Sequence, residues 1–174
     1  MAEKIPQGLI QIYTGDGKGK TTAALGLAMR AAGHRMKVAF IQFIKGEQCG
    51  EHFFVSQQHP FDIVQISAGD SFTKPKEQLS REAQQTLAYA EEEMLSGKYD
   101  LVILDEIFVA ISHGLITIKQ VLDLLNKKPD SVELVLTGRK APPEIVQRAD
   151  LVTEMLMIKH PFTEEIGARR GIEY

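Results

Sequence analysis

Short apolar runs alternate along the chain with stretches whose apolar residues repeat at helical spacing. Leu9 to Tyr13 is apolar and runs into glycines, and Thr21 to Ala32 follows as a run of good helix formers. Strand, tight loop and helix are the natural reading. Within that helix Leu25, Ala28, Met29 and Ala32 recur at helical spacing, and Gly33 falls where a C-terminal cap belongs. Val38 to Phe43 and Ile63 to Ile66 read as the second and third strands. Between them Lys45 to Pro60 is polar, without a clear period, and is expected to be a functional or mobile loop.

From Pro75 to Ser96 the positions Leu79, Ala83, Leu87, Ala90 and Met94 mark one face of a helix that Gly97 ends. Leu101 to Leu104 is continuously apolar, as suits a strand covered on both faces, and Asp105 and Glu106 follow it. A helix over Thr117 to Lys127 leads to a strand at Val132 to Leu136, which ends in Thr137, Gly138 and Arg139. A short helix after Pro142 and a strand near Leu151 to Ile158 complete the pattern. Such alternation predicts an α/β fold, a mainly parallel sheet with helices on both faces, because parallel neighbours need crossover connections. Ligands in these sheets gather at the carboxyl ends of the strands, where every polar motif noted above falls.

The stretch from Thr14 to Thr22, TGDGKGKTT, resembles the phosphate-binding loop GxxxxGK[ST]. In that motif backbone N–H groups converge on phosphates, the lysine neutralises them and the hydroxyl reaches Mg2+. Gly19, Lys20 and Thr21 match its end, while Thr14 stands where the first glycine belongs and Gly15 comes one position late. The candidate nucleotide-binding residues are Gly15, Asp16, Gly17, Lys18, Gly19, Lys20, Thr21 and Thr22. The carboxylate of Asp16, beside the phosphates, suggests a contact with ribose or base. The apolar strand ending in Asp105 and Glu106 supplies hard oxygen ligands for Mg2+ or Mn2+ beside Thr21, and spacing leaves open which carboxylate touches the ion. Arg139 brings a cation to the same edge and joins Lys20 as a candidate for stabilising charge on the triphosphate.

Composition narrows the setting. A chain of 174 residues with 44% hydrophobic and 25% charged residues is ordinary for one folded domain, expected to span residues 1–174. A net charge of -3 excludes a broad electrostatic footprint for nucleic acid or anionic lipid. The single cysteine, Cys49, excludes an intrachain disulfide framework. The N-terminal MAEKIPQG lacks a signal peptide's apolar core, and no apolar run approaches the roughly 20 residues that cross a bilayer, so a cytoplasmic protein is expected. These features admit a kinase, another NTPase, a transferase or a nucleotide-dependent regulator.

The segments YTGDGKGKTTAALGLAMRAAGH, VAFIQFIKG, VILDEI, LTGR, KHPF and GIEY, taken together and in this order, resemble the P-loop corrinoid adenosyltransferases. The resemblance covers Gly8 to Tyr174, nearly the whole chain. It implies transfer of the 5′-deoxyadenosyl group of ATP to the cobalt of a reduced corrinoid, with release of inorganic triphosphate, in cobalamin synthesis or salvage. Cobalt attacks carbon, so the P-loop grips a leaving group, and Thr14 at its first position is shared with the family. The resemblance also implies a homodimer and an electron donor of flavodoxin type.

On the corrinoid side it implies Phe72, Lys45 and His160 as binding residues. Family members use an aromatic pair to displace the lower axial ligand of cobalt. Here Phe72 matches the second member of that pair and Asp70 replaces the first, leaving Phe53 or Phe54 as other candidate aromatics. Lys159, His160 and Phe162 match the C-terminal pattern, whereas Glu165 stands where glycine is expected. The chain begins just before its first strand, so enclosure of the substrates is expected from the Lys45 to Pro60 loop or from a partner subunit.

Overall fold

The computed structural model describes residues 7–67, 69 and 73–174, with Phe162 described by its backbone only. Asp70 and Phe72 lie outside the described residues. Six strands form one sheet: β1 (Ile10–Thr14), β2 (Val38–Gln42), β3 (Asp62–Gln65), β4 (Leu101–Asp105), β5 (Glu133–Thr137) and β6 (Leu151–Glu154). Their order is β3-β2-β4-β5-β1-β6, and every pairing is parallel. The helices are α1 (Lys20–Gly33), α2 (Gly50–Gln58), α3 (Lys76–Leu95), α4 (Ile107–Ser112), α5 (Ile118–Lys127) and α6 (Pro143–Val146). A short 3-10 turn at Pro161–Glu164 follows the sheet.

Strand alternation divides the apolar interior between the two faces. Val38, Phe40, Leu101, Ile103 and Val135 point to one side, where they meet Ala24, Ala28 and Ala31 of α1. Ala39, Ile41, Val102, Leu104, Leu134 and Leu136 point to the other, packed under α3, α4 and α5. The small side chains of α1 let its axis approach the sheet closely. Packing density near that of a crystal leaves no slack there, so the start of α1, where the P-loop ends, is held firmly against the strands.

Several local expectations are corrected. The buried stripe of α1 is Ala24, Ala28 and Ala31, whereas Met29 is 64% exposed. Large side chains lost to small ones here because the helix sits tightly over pleated strands. Gly33 stays inside α1, and the left-handed position beyond it is taken by Arg35, with φ 62°. The stretch Lys45 to Pro60, expected as a functional or mobile loop, contains α2, whose only buried member is Val55, so it carries no periodic stripe. Its start is organised by polar bonding instead: His52 Nδ1 accepts the backbone N–H of Cys49 at 2.9 Å. Helix α4, absent from the sequence pattern, begins directly at the end of β4. The last strand stops at Glu154, four residues short of the apolar run's end.

Lengthening the buried stripe of α1 should therefore disturb both fold and site. Ala28→Leu is expected to destabilise the protein by roughly 1–3 kcal/mol through overpacking, read as a lower midpoint in denaturant unfolding, and to weaken ATP binding in the same sample.

Candidate active site

Register brings the polar ends of the strands together. Gln42 on β2 is paired with Asp105 on β4, and Tyr13 on β1 with Thr137 on β5. Asp105 is fully buried. Its Oδ1 accepts hydrogen bonds from Thr21 Oγ1 at 2.9 Å and Thr137 Oγ1 at 2.7 Å, and its Oδ2 accepts from Gln42 Nε2 at 3.1 Å. Thr137 Oγ1 also accepts the Glu106 backbone N–H at 3.0 Å. That bond helps to hold Glu106 at φ 62°, a left-handed conformation that a residue with a β-carbon adopts only when its surroundings impose it.

Glu106 itself makes no side-chain hydrogen bond among the described residues. Burial pushes its pKa up, the negative charge of Asp105 adds to that, and Lys20, Lys45 and Arg139 oppose it. Lys20 is buried, with its ammonium donating to the Gly17 carbonyl at 2.7 Å. Desolvation lowers its pKa, while Glu106 raises it. A basic loop and an electron-rich carboxylate thus face each other across the mouth of the sheet.

The P-loop glycines have a second partner besides any ligand. Gly17 N–H donates to the Met155 carbonyl at 2.7 Å, and Met155 N–H donates to the Thr14 carbonyl at 2.8 Å. A Cβ at Gly15 would lie 2.4 Å from the Met155 carbonyl oxygen, and one at Gly17 would lie 2.7 Å from the Leu156 carbonyl oxygen. The loop is therefore pressed against the segment leaving β6. Thr14 closes β1, and its Oγ1 accepts the Ala141 N–H at 3.2 Å, tying the loop to the connection after β5. A glycine at position 14 would lose that bond.

These residues line a cavity of about 560 Å³ that includes Asp16 to Thr22, Lys45, Glu51, Glu106, Arg139 and His160. Every expected nucleotide residue except buried Gly15 lies along it, as do both candidate catalytic cations, Lys20 and Arg139. Lys18 is turned toward the C-terminal tail, where its Nζ bonds the Ile172 carbonyl at 2.8 Å and Glu173 Oε1 at 3.0 Å. The tail residues Gly171 to Tyr174 consequently wall one side of the cavity.

A second cavity, of about 550 Å³, is lined largely by apolar side chains including Phe43, Ile44, Leu79, Val109 and Leu115. Lys45 and Glu106 line both cavities. Lys45 is bonded to Glu51 at 2.8 Å. Burial would lower its pKa, but the hydrogen bond and charge of Glu51 outweigh it and the net shift is upward. Of the residues expected on the corrinoid side, Lys45 stands at the junction and His160 lines the polar cavity. Phe72 lies outside the described residues, and Phe53 and Phe54 are half exposed on α2. Gln42, Glu51, His52 and His113 are not marked by the sequence pattern, and Thr137 is marked only as the end of its strand. For Gln42 a signal existed, since it interrupts the apolar run VAFIQF.

A parallel sheet carrying TGDGKGKTT between β1 and α1, with a buried aspartate at the end of β4, defines a P-loop nucleotide-binding protein. Comparison with known sequences takes the assignment further. Residues 6–174 match the model of the family ATP:corrinoid adenosyltransferase BtuR/CobO/CobP. The chain is 35% identical to the corrinoid adenosyltransferase of Pseudomonas aeruginosa over 181 residues, covering 99% of this chain and 89% of that one. It is 37% identical to the corrinoid adenosyltransferase of a Sinorhizobium species over 180 residues, covering 100% and 84%. Against that of Escherichia coli K12 the identity is 32% over 169 residues, covering 97% and 86%. The chain belongs to the ATP:corrinoid adenosyltransferase family, and it is an enzyme that transfers the adenosyl group of ATP to a corrinoid.

The raised pKa of Glu106 has a sign that can be tested. Its folded value lies above its unfolded value, so its neutral form favours the fold fully below the unfolded pKa of about 4.3, and that advantage is lost as pH rises through the folded value. Glu106→Gln is therefore expected to raise the thermal midpoint of the ligand-free protein at neutral pH, with the gain vanishing toward pH 4. Melting curves of both proteins across that range check it.

Proposed function

We propose that the polar cavity holds ATP by its triphosphate and that the apolar cavity receives the corrinoid, with adenosyl transfer taking place where the two meet. The observation that carries this reading is the sharing of Lys45 and Glu106 by both cavities. Two substrates that must exchange a carbon centre need one point of contact, and these side chains mark it. Holding them there converts an encounter in solution into a reaction within one complex.

The cobalt of the reduced corrinoid is the nucleophile, and the bond that breaks joins the ribose 5′ carbon to the triphosphate oxygen. No protein side chain needs to attack. The work of the chain is to place that carbon and to stabilise negative charge growing on the departing triphosphate. Lys20 and Arg139 supply positive charge for this, and the dipole of α1 adds to it at the loop. Buried as it is, Lys20 acts in a medium where its charge is weakly screened.

A divalent cation fits the same site. Thr21, Asp105 and Glu106 offer an all-oxygen donor set of the kind that Mg2+ or Mn2+ prefers, and Glu106 is a half-buried carboxylate without a protein hydrogen bond among the described residues. Glu106 is assigned as the direct ligand. Asp105 already accepts three hydrogen bonds, so its part in holding the ion would be to orient Thr21. When bound, the ion neutralises charge on the phosphate oxygens.

A homodimer follows from the family resemblance. Apolar surface at the free edge of β6 and beyond it supports an interface there: Leu156 and Ile158 are 70% and 88% exposed. An external reductant of flavodoxin type would keep the corrinoid reduced, in a cytoplasmic setting. No helix among the described residues is long and apolar enough to cross a membrane.

Anaerobic mixing of chemically reduced cobalamin, ATP and Mg2+ with the protein is expected to yield the adenosylated corrinoid, followed optically. Lys20→Ala should lower turnover by at least about 100-fold, the scale of losing one charge-stabilising group, and should weaken ATP binding. Turnover near that of the unsubstituted protein would refute the role given to Lys20.

A further inference from the structure

Behind the carboxylates lies a polar chain that neither the motifs nor the family assignment accounts for. Gln42 is fully buried, with its amide nitrogen on Asp105 Oδ2 at 3.1 Å. Its Oε1 lies 2.8 Å from His52 Nε2 and accepts from Gln65 Nε2 at 3.1 Å. The other imidazole nitrogen, Nδ1, faces the backbone N–H of Cys49 at 2.9 Å. A backbone N–H can only donate, so Nδ1 must accept, and the proton of a neutral imidazole resides on Nε2. Nε2–H then donates to Gln42 Oε1. This fixes the amide's sense: oxygen toward His52, nitrogen toward Asp105. The reversed amide would set its oxygen against the Asp105 carboxylate and its NH2 against Nε2–H.

Cys49, Glu51 and His52 place potential ligand atoms within 4.8 Å of one another, which suggests a metal cluster at first sight. The bonding argues otherwise, because both imidazole nitrogens are engaged and Glu51 is paired with Lys45.

We propose that His52 is a positioning residue that, through Gln42, holds Asp105 in the orientation that presents Thr21 to the metal–nucleotide complex. The chain runs in one direction, from the Cys49 N–H at the start of α2 to the carboxylate at the end of β4. Helix α2 thereby becomes part of the metal site without touching it. The inference rests on the reading of Asp105, Thr21 and Glu106 as the metal-holding set.

Two substitutions separate the two ends of the imidazole. His52→Gln keeps a donor where Nε2 stands and loses the acceptor for Cys49, whereas His52→Asn keeps that acceptor and leaves Gln42 without its donor. The readout is the Mg2+ concentration at which ATP binding reaches half its full extent, measured calorimetrically on the whole chain without corrinoid. His52→Asn is expected to raise that midpoint roughly three- to tenfold, the loss of about one hydrogen bond, and His52→Gln to keep it within about twofold. Equal shifts in both variants, or none in His52→Asn, would overturn the relay. Asp105→Asn serves as the control: if it moves the midpoint and His52→Asn does not, only the relay fails. If Asp105→Asn leaves it unmoved, the metal assignment itself fails. Should His52→Asn not fold, Gln42→Met, which removes the amide at similar length, must raise the midpoint, and an unchanged value would equally overturn the relay.

Discussion

Asp105 is buried without an ion-pair partner among the described residues, and three donors from three different elements converge on it. Thr21 comes from α1, Gln42 from β2 and Thr137 from β5. A bare carboxylate in such a place would be expensive, and hydrogen bonds to a charged group, at about 1.5–3 kcal/mol each, are what make the burial tolerable. Because the donors lie on separate elements, satisfying one charge also fixes where those elements stand. The carboxyl ends of three strands and the first turn of α1 are thereby locked in one arrangement. Glu106, the next residue, inherits its unusual backbone conformation from the same knot through Thr137.

That constraint explains the asymmetry of the site. Asp105 accepts three hydrogen bonds and serves geometry, whereas Glu106 has no direct hydrogen bond to its carboxylate among the described residues and has a raised pKa. In the proposed reading, stability is set aside at one residue, where a cation and a triphosphate would supply the missing interactions. The P-loop shows the same division. Thr14 ties the end of β1 to the loop after β5, Gly15 and Gly17 admit the backbone beyond β6, and Lys20 faces the cavity. In a site where the triphosphate departs intact, the loop has to hold all of it still. Its anchoring on both sides suits that demand.

Much of this was legible in the residues, for identifiable reasons. Buried parallel strands announce themselves as unbroken apolar runs, and the order of motifs at their ends was enough to place Lys20, Thr21, Asp105, Glu106 and Arg139 on one edge. What stayed hidden depends on contacts between distant segments. Helix α2 has a polar start and one buried residue, so periodicity passes over it. Helical spacing groups Met29 with Leu25, Ala28 and Ala32, yet the close approach of α1 to the sheet selects the stripe Ala24, Ala28 and Ala31. Gln42 and Thr137 become meaningful only once strand register sets them beside Asp105. The position of His160 along the nucleotide cavity depends on how the chain returns after β6, which no local pattern encodes.

This site is proposed to hold a triphosphate as a leaving group while carbon, and not phosphorus, is transferred. Phosphorus NMR of the products from ATP, Mg2+ and anaerobically reduced corrinoid tests it most directly. Intact inorganic triphosphate is expected in equal amount to the cobalt–carbon bonds formed. ADP with orthophosphate, accumulating in step with the reaction, would contradict it.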